Sequence, residues 1–387
     1  MLQTLTRVAE QRLRNIDRAR RAVLHEGCAQ ADGLSDAWIA RSWQRCLASG
    51  QRPDQTVVFD MVSAQAQRRS EEANHGLLNA ARPALKKLGH AITDTRYFAI
   101  LTNADGVVVD VSGPVDRRDA RASAIARIGL DLSERAVGTS AIGAALAELQ
   151  PIWLHRGEHF FNGNAAYSCA GAPLFGPDGQ CVGMLDLTGI EVDERPELKH
   201  LVAQSARSIE NALTVARAHS LLVRLNWPGR QLGDESDGLV CLDADGWVTG
   251  ANQTARQMVS SLGDVHRSDG SAPVPVHSSE LFAMPFEMLF DSAGRDAYGE
   301  PAPMDVPLWS GLRLNAISQT KVQRSNHATP SQWGALGGEN HSLRDVEIAL
   351  IRKAVTQAKG NVMQAARELG ISRATVYRKL GHRKSDN

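Results

Sequence analysis

Three times along this chain a run of β-branched and apolar residues stops at an Asp-Gly turn and resumes as a second such run. The turns are Asn103-Ala104-Asp105-Gly106, Pro177-Asp178-Gly179-Gln180 and Asp243-Ala244-Asp245-Gly246. Each is a hairpin signal, because Gly takes the left-handed backbone the turn needs and Asn or Asp bonds its own backbone. Between and around them lie helical patterns. A small-residue helix follows the first hairpin, then the strand-like segment from Pro151 to Phe161. A long helix is predicted from about Pro196 to Leu225 after the second hairpin. Hairpins interleaved with helices read as an α+β class with antiparallel sheet.

Upstream, Leu2 to about Leu24 is helical by period, with Leu2, Leu5, Val8, Leu13, Ile16 and Val23 on one stripe. Arg12, Arg14, Arg18, Arg20 and Arg21 flank that stripe and read as a solvated face. A second helix carries Trp38, Ile39, Trp43 and Leu47, and helical pattern resumes from Ala64 to Ala91.

The far end has different punctuation. Asn361 caps a short helix that stops at Gly370, Ile371 fills a tight turn, and Ser372 caps a second helix from Arg373 to about Lys379. Val362, Ala365, Ala366, Leu369, Ile371, Val376 and Leu380 make one apolar face, which leaves Arg373, Thr375, Tyr377, Arg378 and Lys379 outward. A helix that holds cations and hydrogen-bonding groups away from its own core suits a DNA groove. From Ser342 onward there are ten Lys and Arg against four Asp and Glu, an excess of six. The whole chain has zero net charge, so the preceding residues carry the opposite excess. A basic end on an acidic body fits a DNA-binding terminus on a body that does not bind DNA.

This C-terminal stretch resembles the helix-turn-helix of the Fis family, most specifically in Ala365–Ala366 and the run Gly370 to Leu380. The resemblance implies that Ser372, Arg373, Thr375, Tyr377, Arg378 and Lys379 face DNA. The preceding helix, Leu343 to Lys359, is apolar on two adjacent faces; in the Fis family the second face meets another subunit. A homodimer would set two reading helices about one DNA turn apart on a near-palindromic site. Residues Gly138 to Glu148, Glu158 to Phe160, Ser168 to Gly179 and Gly183 to Gly189 resemble a GAF sensor domain of the acetoin-catabolism activator group. The sequence departs from that group at Ser140 and Ala144. The segment Asp237 to Val259, with Pro307 to Gln319, looks like the opening and closing of a PAS-type domain. The expected order is an N-terminal helical segment (1–60), a GAF-like sensor (61–225), a PAS-like domain (226–320), a linker (321–341) and an all-α Fis-type DNA-binding domain (342–387).

The GAF resemblance implies a pocket between one sheet face and the helices over it, with a small organic effector as its occupant. Candidate contacts are Trp153, His159, Phe160, Tyr167, Cys169 and Asp186. A looser alternative has His159 and Cys169 hold a metal or haem. Two motifs suggest enzymes. His155-Arg156-Gly157-Glu158-His159 has the spacing of an inverted zinc-protease site, but that chemistry needs both histidines on one helical face, and Gly157 and the strand-like Trp153–Leu154 argue against a helix there. Gly138 to Gly143 has one residue too many for a nucleophile elbow and fits a helix start. No phosphate-binding loop of the G-x-x-x-x-G-K-[ST] type occurs in the sequence. Enhancer-binding activators place a large ATPase between sensor and DNA-binding end, so this chain is expected to regulate transcription without remodelling sigma-54 polymerase. Direct contact with RNA polymerase is one route. The rival readings are an architectural DNA-bending protein and an enzyme on the GAF fold; a non-enzyme is expected. Five scattered cysteines without C-x-x-C spacing, and no long apolar run, point to the cytoplasm and away from a membrane.

Overall fold

The computed structural model describes residues 2–28, 34, 36–263, 275–293, 303–320 and 362–363. Met1–Lys321 forms one compact unit and Val322–Asn387 another. Within the first unit, α1 (Leu2–Arg20) continues into one π-helical turn, Arg21–His25, and is followed by α2 (Ala37–Ala48), α3 (Ala64–Ala73) and α4 (His75–Ala91). The first sheet then comprises β1 (Tyr97–Asn103), β2 (Val108–Ser112), β3 (Ile152–His155), β4 (Tyr167–Phe175) and β5 (Cys181–Ile190). Three short helices, α5 (Ala120–Ile125), α6 (Glu134–Val137) and α7 (Ala141–Glu148), bridge β2 to β3, and α8 (Leu198–Ala216) follows β5. The spatial order is β2-β1-β5-β4-β3, with every pair antiparallel.

Helices cover both faces of this sheet, which is why its strands read as unbroken apolar runs rather than alternating ones. The period-2 alternation sorts them all the same. Along β1, Tyr97, Ala99 and Leu101 join Leu85, Leu88, Val202 and Ile209 of α4 and α8. Phe98 and Ile100 turn the other way, to a core with Trp43 of α2, Ile125 of α5 and Ile142 of α7. The first predicted turn has its mechanism visible: Asn103 Oδ1 accepts from the backbone N–H groups of Asp105 and Val107, at 3.0 and 2.9 Å.

A second antiparallel sheet is built from β6 (Leu221–Asn226), β7 (Gly238–Leu242), β8 (Val248–Ala251), β9 (Met304–Pro307) and β10 (Arg313–Thr320), in the order β8-β7-β6-β10-β9. Helices α9 (Gln253–Met258), α10 (Ser278–Leu281) and α11 (Glu287–Ser292) lie between β8 and β9. Here the predicted long helix fails at its end. It stops at Ala216, and Leu221–Asn226 is the central strand of the second sheet. The run Leu-Leu-Val-Arg-Leu-Asn has no proline or glycine to separate it from the helix, but its leucines and valine divide between two cores. Leu221, Val223 and Leu225 enter one core while Leu222 packs with Leu239 and Cys241 on the other face. Short apolar runs are ambiguous by period, and partners on both sides decided this one.

The two sheets meet at the β4–β5 turn. Pro177 O accepts from Ala251 N and from Arg256 Nη2, both at 2.8 Å, and the other arm of Arg256 bonds Leu262 O at 2.7 Å. Gly250 lies so close that a Cβ there would stand 2.8 Å from the Pro177 ring. Helix α8 adds to the joint, with Asn211 Oδ1 accepting from Asn252 Nδ2 at 2.7 Å and Cys241 Sγ reaching Thr214 O at 3.3 Å. Among the described residues, no helix is long and apolar enough to cross a membrane.

Candidate functional site

Between the α2/α7 face of the first sheet and the short helices lies a buried cavity of about 40 Å³. Its helix side is apolar, with Phe59, Ile125, Leu132, Val137 and Ile142; its sheet side carries His159, Tyr167, Cys169, Asp186 and Thr188. Four of the six predicted effector contacts, His159, Tyr167, Cys169 and Asp186, therefore converge. Trp153 and Phe160 do not. Trp153 is one residue from Leu154, which pairs with Cys169 across the sheet, so period-2 alternation sends its ring to the opposite core, where Nε1 is 3.4 Å from Glu194 Oε1. Phe160 follows His159 on extended backbone and packs edge-on against Phe161, ring centroids 5.1 Å apart. Sequence reasoning also missed Thr188, Ser140 and Asn164, which line the cavity.

Each polar group is held by local structure. Ser140 caps α7, its Oγ accepting from Gly143 N at 3.1 Å, so the expected helix start is present. Gly138, at φ 67°, precedes it where a Cβ would sit 2.8 Å from the Phe161 ring. His159 Nδ1 lies 2.9 Å from Arg156 O; a carbonyl only accepts, so that nitrogen bears the proton and Nε2 is left as an acceptor. Burial lowers the His159 pKa to about 4, keeping it neutral. Cys169 Sγ is 3.7 Å from that Nε2 and 3.4 Å from Thr188 Oγ1, and burial pushes its thiol well above the usual range. Thr188 donates to Asp186 Oδ2. Asp186 is buried, its Oδ1 has no partner, and burial raises its pKa to about 7.

The loop that carries His159 is fixed by arginines expected to be solvated. Arg20 donates to Gly157 O (2.7 Å), His159 O (2.5 Å), Phe160 O (3.0 Å) and Asn162 Oδ1 (2.7 Å), with its guanidinium 5.5 Å from the centre of the Trp43 ring. Arg12 pairs with the buried carboxylate of Glu158, whose other oxygen accepts from His155 N at 2.8 Å. No sequence signal ties α1 to residues more than 130 positions away; only the fold does. The zinc-protease spacing is also resolved: His155 ends β3 and Arg156–Glu158 is a 3₁₀ turn, so the two histidines share no helical face. Among the described residues no cluster of three or more His, Cys, Asp or Glu could hold a metal ion. The predicted DNA-facing residues, Ser372, Arg373, Thr375, Tyr377, Arg378 and Lys379, lie outside the described residues.

Comparison with known proteins gives two family matches. The family described as "MimR, N-terminal domain" matches residues 13–211, and "Bacterial regulatory protein, Fis family" matches residues 342–381. The chain is 28% identical over 274 residues to the Acetoin catabolism regulatory protein of Cupriavidus necator, covering 69% of this chain and 40% of that protein. It is 28% identical over 198 residues to the Propane 2-monooxygenase operon transcriptional activator MimR of Mycolicibacterium smegmatis, covering 51% and 33%. The chain thus spans two-fifths or less of the length of these two relatives. Among solved structures, a chain of the E. coli DhaR(N)–DhaL complex superposes with a TM-score of 0.45 at 14% identity, covering 74% of this chain and 100% of that one.

Proposed function

The chain belongs to the family of the MimR N-terminal domain and carries a Fis-family bacterial regulatory segment over residues 342–381, and on that premise we propose that it is an effector-responsive, cytoplasmic transcriptional regulator. The observation that carries this reading is a continuous one. The strands that bring Cys169 and Asp186 to the cavity, β4 and β5, end in the turn whose Pro177 carbonyl is clasped by the second sheet. A ligand that shifts those strands by a fraction of an ångström bears directly on the part of the chain that leads to the DNA-binding segment.

In this reading the protein binds a near-palindromic site on double-stranded DNA as a homodimer, with Ser372, Arg373, Thr375, Tyr377, Arg378 and Lys379 facing the duplex. Output is by occupancy or direct contact with RNA polymerase, without ATP-dependent sigma-54 activation, since the sequence between sensor and DNA-binding segment has no phosphate loop. The sensor is GAF-like and residues 226–320 form a PAS-like domain. No enzymatic activity is assigned. Footprinting on the DNA flanking its own gene tests the output: Arg373→Ala and Arg378→Ala each weaken binding about 10- to 100-fold while the melting temperature stays unchanged. Affinity unchanged in both variants would remove the reading helix from the proposal. Binding without sequence preference would favour the architectural rival instead.

A further inference from the structure

Of the buried side-chain polar atoms on the described residues that line the cavity, one has no hydrogen-bond partner. The thiol hydrogen of Cys169 has two takers in reach, His159 Nε2 and Thr188 Oγ1. The Thr188 hydroxyl hydrogen goes to Asp186 Oδ2. The Ser140 hydroxyl, whose oxygen accepts from Gly143 N, makes no hydrogen bond to Asp186 Oδ1, and Asn164 Nδ2 is directed to Val137 O at 3.3 Å. Asp186 Oδ1 is left with nothing, although its residue is only 1% exposed and sits mid-strand on β5, opposite Ile100 and Gly171. Buried polar atoms in native proteins are nearly always satisfied, by protein, water or ligand, so an orphaned carboxylate oxygen on a cavity wall marks where an incoming hydrogen belongs.

The surroundings narrow what can bring that hydrogen. Among the described residues, no lysine or arginine lines the cavity, and Asp186 is the only acidic one that does. An anionic ligand would meet a carboxylate with no compensating cation. The opposite wall, Ile125, Leu132 and Ile142, offers only dispersion contacts. The free space, about 40 Å³, holds roughly three waters, which limits the occupant to a few heavy atoms.

We propose that Asp186 is the specificity-determining residue of this cavity, and that it selects a small, non-anionic organic molecule that donates a hydroxyl or amino hydrogen to Oδ1 while its alkyl part lies on the isoleucine wall. The proposal rests on the reading of this cavity as the effector site and adds the chemical class of the effector. It also gives the polar row His159–Cys169–Thr188–Asp186 a use: Thr188 fixes the Asp186 carboxyl so that Oδ1, and not Oδ2, is presented.

Four probes of one skeleton separate the possibilities: 2-butanol, sec-butylammonium, butanone and butyrate, each titrated into the purified full chain at pH 8.5, where the Asp186 carboxyl is ionised and Oδ1 can only accept, and followed by melting temperature and calorimetry. A saturable rise in melting temperature is expected with the alcohol or the ammonium ion and not with butanone or butyrate. Asp186→Leu, which keeps side-chain size and removes the acceptor, weakens that binding about tenfold or more without lowering the melting temperature of the free protein. Asp186→Asn keeps a carbonyl acceptor without the charge, so it retains the alcohol and loses the ammonium ion. If butanone or butyrate binds as well as the donors, and a space-filling Cys169→Met abolishes that binding, the cavity is an effector site but the donor rule is wrong. Donor binding that is equal in wild type and Asp186→Leu overturns the role of Asp186. If none of the four binds, both the ligand class and the cavity's role as an effector site fall.

Discussion

Asp186 sets the electrostatic character of the cavity, and its raised pKa has a direct consequence for stability. Burial lifts it from an ordinary 3.8 to about 7, so the folded protein favours the neutral acid. Between those values the native state binds more protons than the unfolded chain, and stability from this group falls as pH rises through the window. Above about pH 7 the loss is complete, on the order of 4 kcal/mol at 1.36 kcal/mol per unit. His155 and His159 act in the opposite sense. Their pKa values are lowered to about 4, so their contribution is present above 6.5 and is lost as pH falls toward 4. Asp186→Asn removes the first effect alone. The variant should match wild type near pH 4 and exceed it by a few kcal/mol at pH 7.5. Its stability should also drop on acidification below pH 6.5 more steeply than wild type's. Urea melts of both proteins across that range check this; equal curves at pH 7.5 would mean that water or a ligand already satisfies Oδ1.

At the level of elements, the β4–β5 hairpin and α8 are the parts that belong to both sheets. The hairpin tip is held through a single carbonyl, Pro177 O, which receives one backbone and one guanidinium donor. Arg256 is itself partly buried and is not paired with a carboxylate in this contact; its Nε has no partner among the described residues. Arg256→Ala removes charge-assisted bonds to two carbonyls, and loss of about 1–3 kcal/mol is expected in equilibrium unfolding. Pro177 O keeps its bond from Ala251 N, so the strands themselves persist. Hydrogen exchange should therefore speed up at residues 176–180 and 250–262 and remain unchanged along β1. The hairpins were legible in sequence because Asn-Ala-Asp-Gly and Pro-Asp-Gly-Gln each specify local backbone. What those hairpin tips would touch was not legible, since Pro177 and Arg256 are far apart in the chain and neither residue type announces a partner.

For the whole molecule, charge is divided along the chain. The acidic body holds the cavity, and the excess of six positive charges lies beyond residue 341. DNA affinity should then be governed by that segment and fall steeply with salt, because each phosphate neutralised releases counterions. With several phosphate contacts per reading head, a slope of log K against log salt of about −5 or steeper is expected for the dimer. A slope near zero in a fluorescence-anisotropy titration from 50 to 200 mM salt would contradict DNA binding through the basic end. The α+β class, the antiparallel pairing of both sheets and the family membership agree with the sequence reading.

The sequence by itself determined the things that depend on near neighbours in the chain. Turn residues fixed the hairpins, Ser140 and Asn252 fixed the starts of α7 and α9, and β-branched, apolar runs announced the strands that flank the turns. Only tertiary structure decided the rest. It made Leu221–Asn226 a strand, because β7 and β10 supplied hydrogen bonds on both edges. It turned Arg12 and Arg20 from a solvated face into the support for the His159 loop, because carbonyls and a carboxylate from β3 and its following turn face them. It also divided the six predicted cavity residues into four that meet and two that do not, because alternation along a strand is fixed but which face the helices leave open is settled only when they pack.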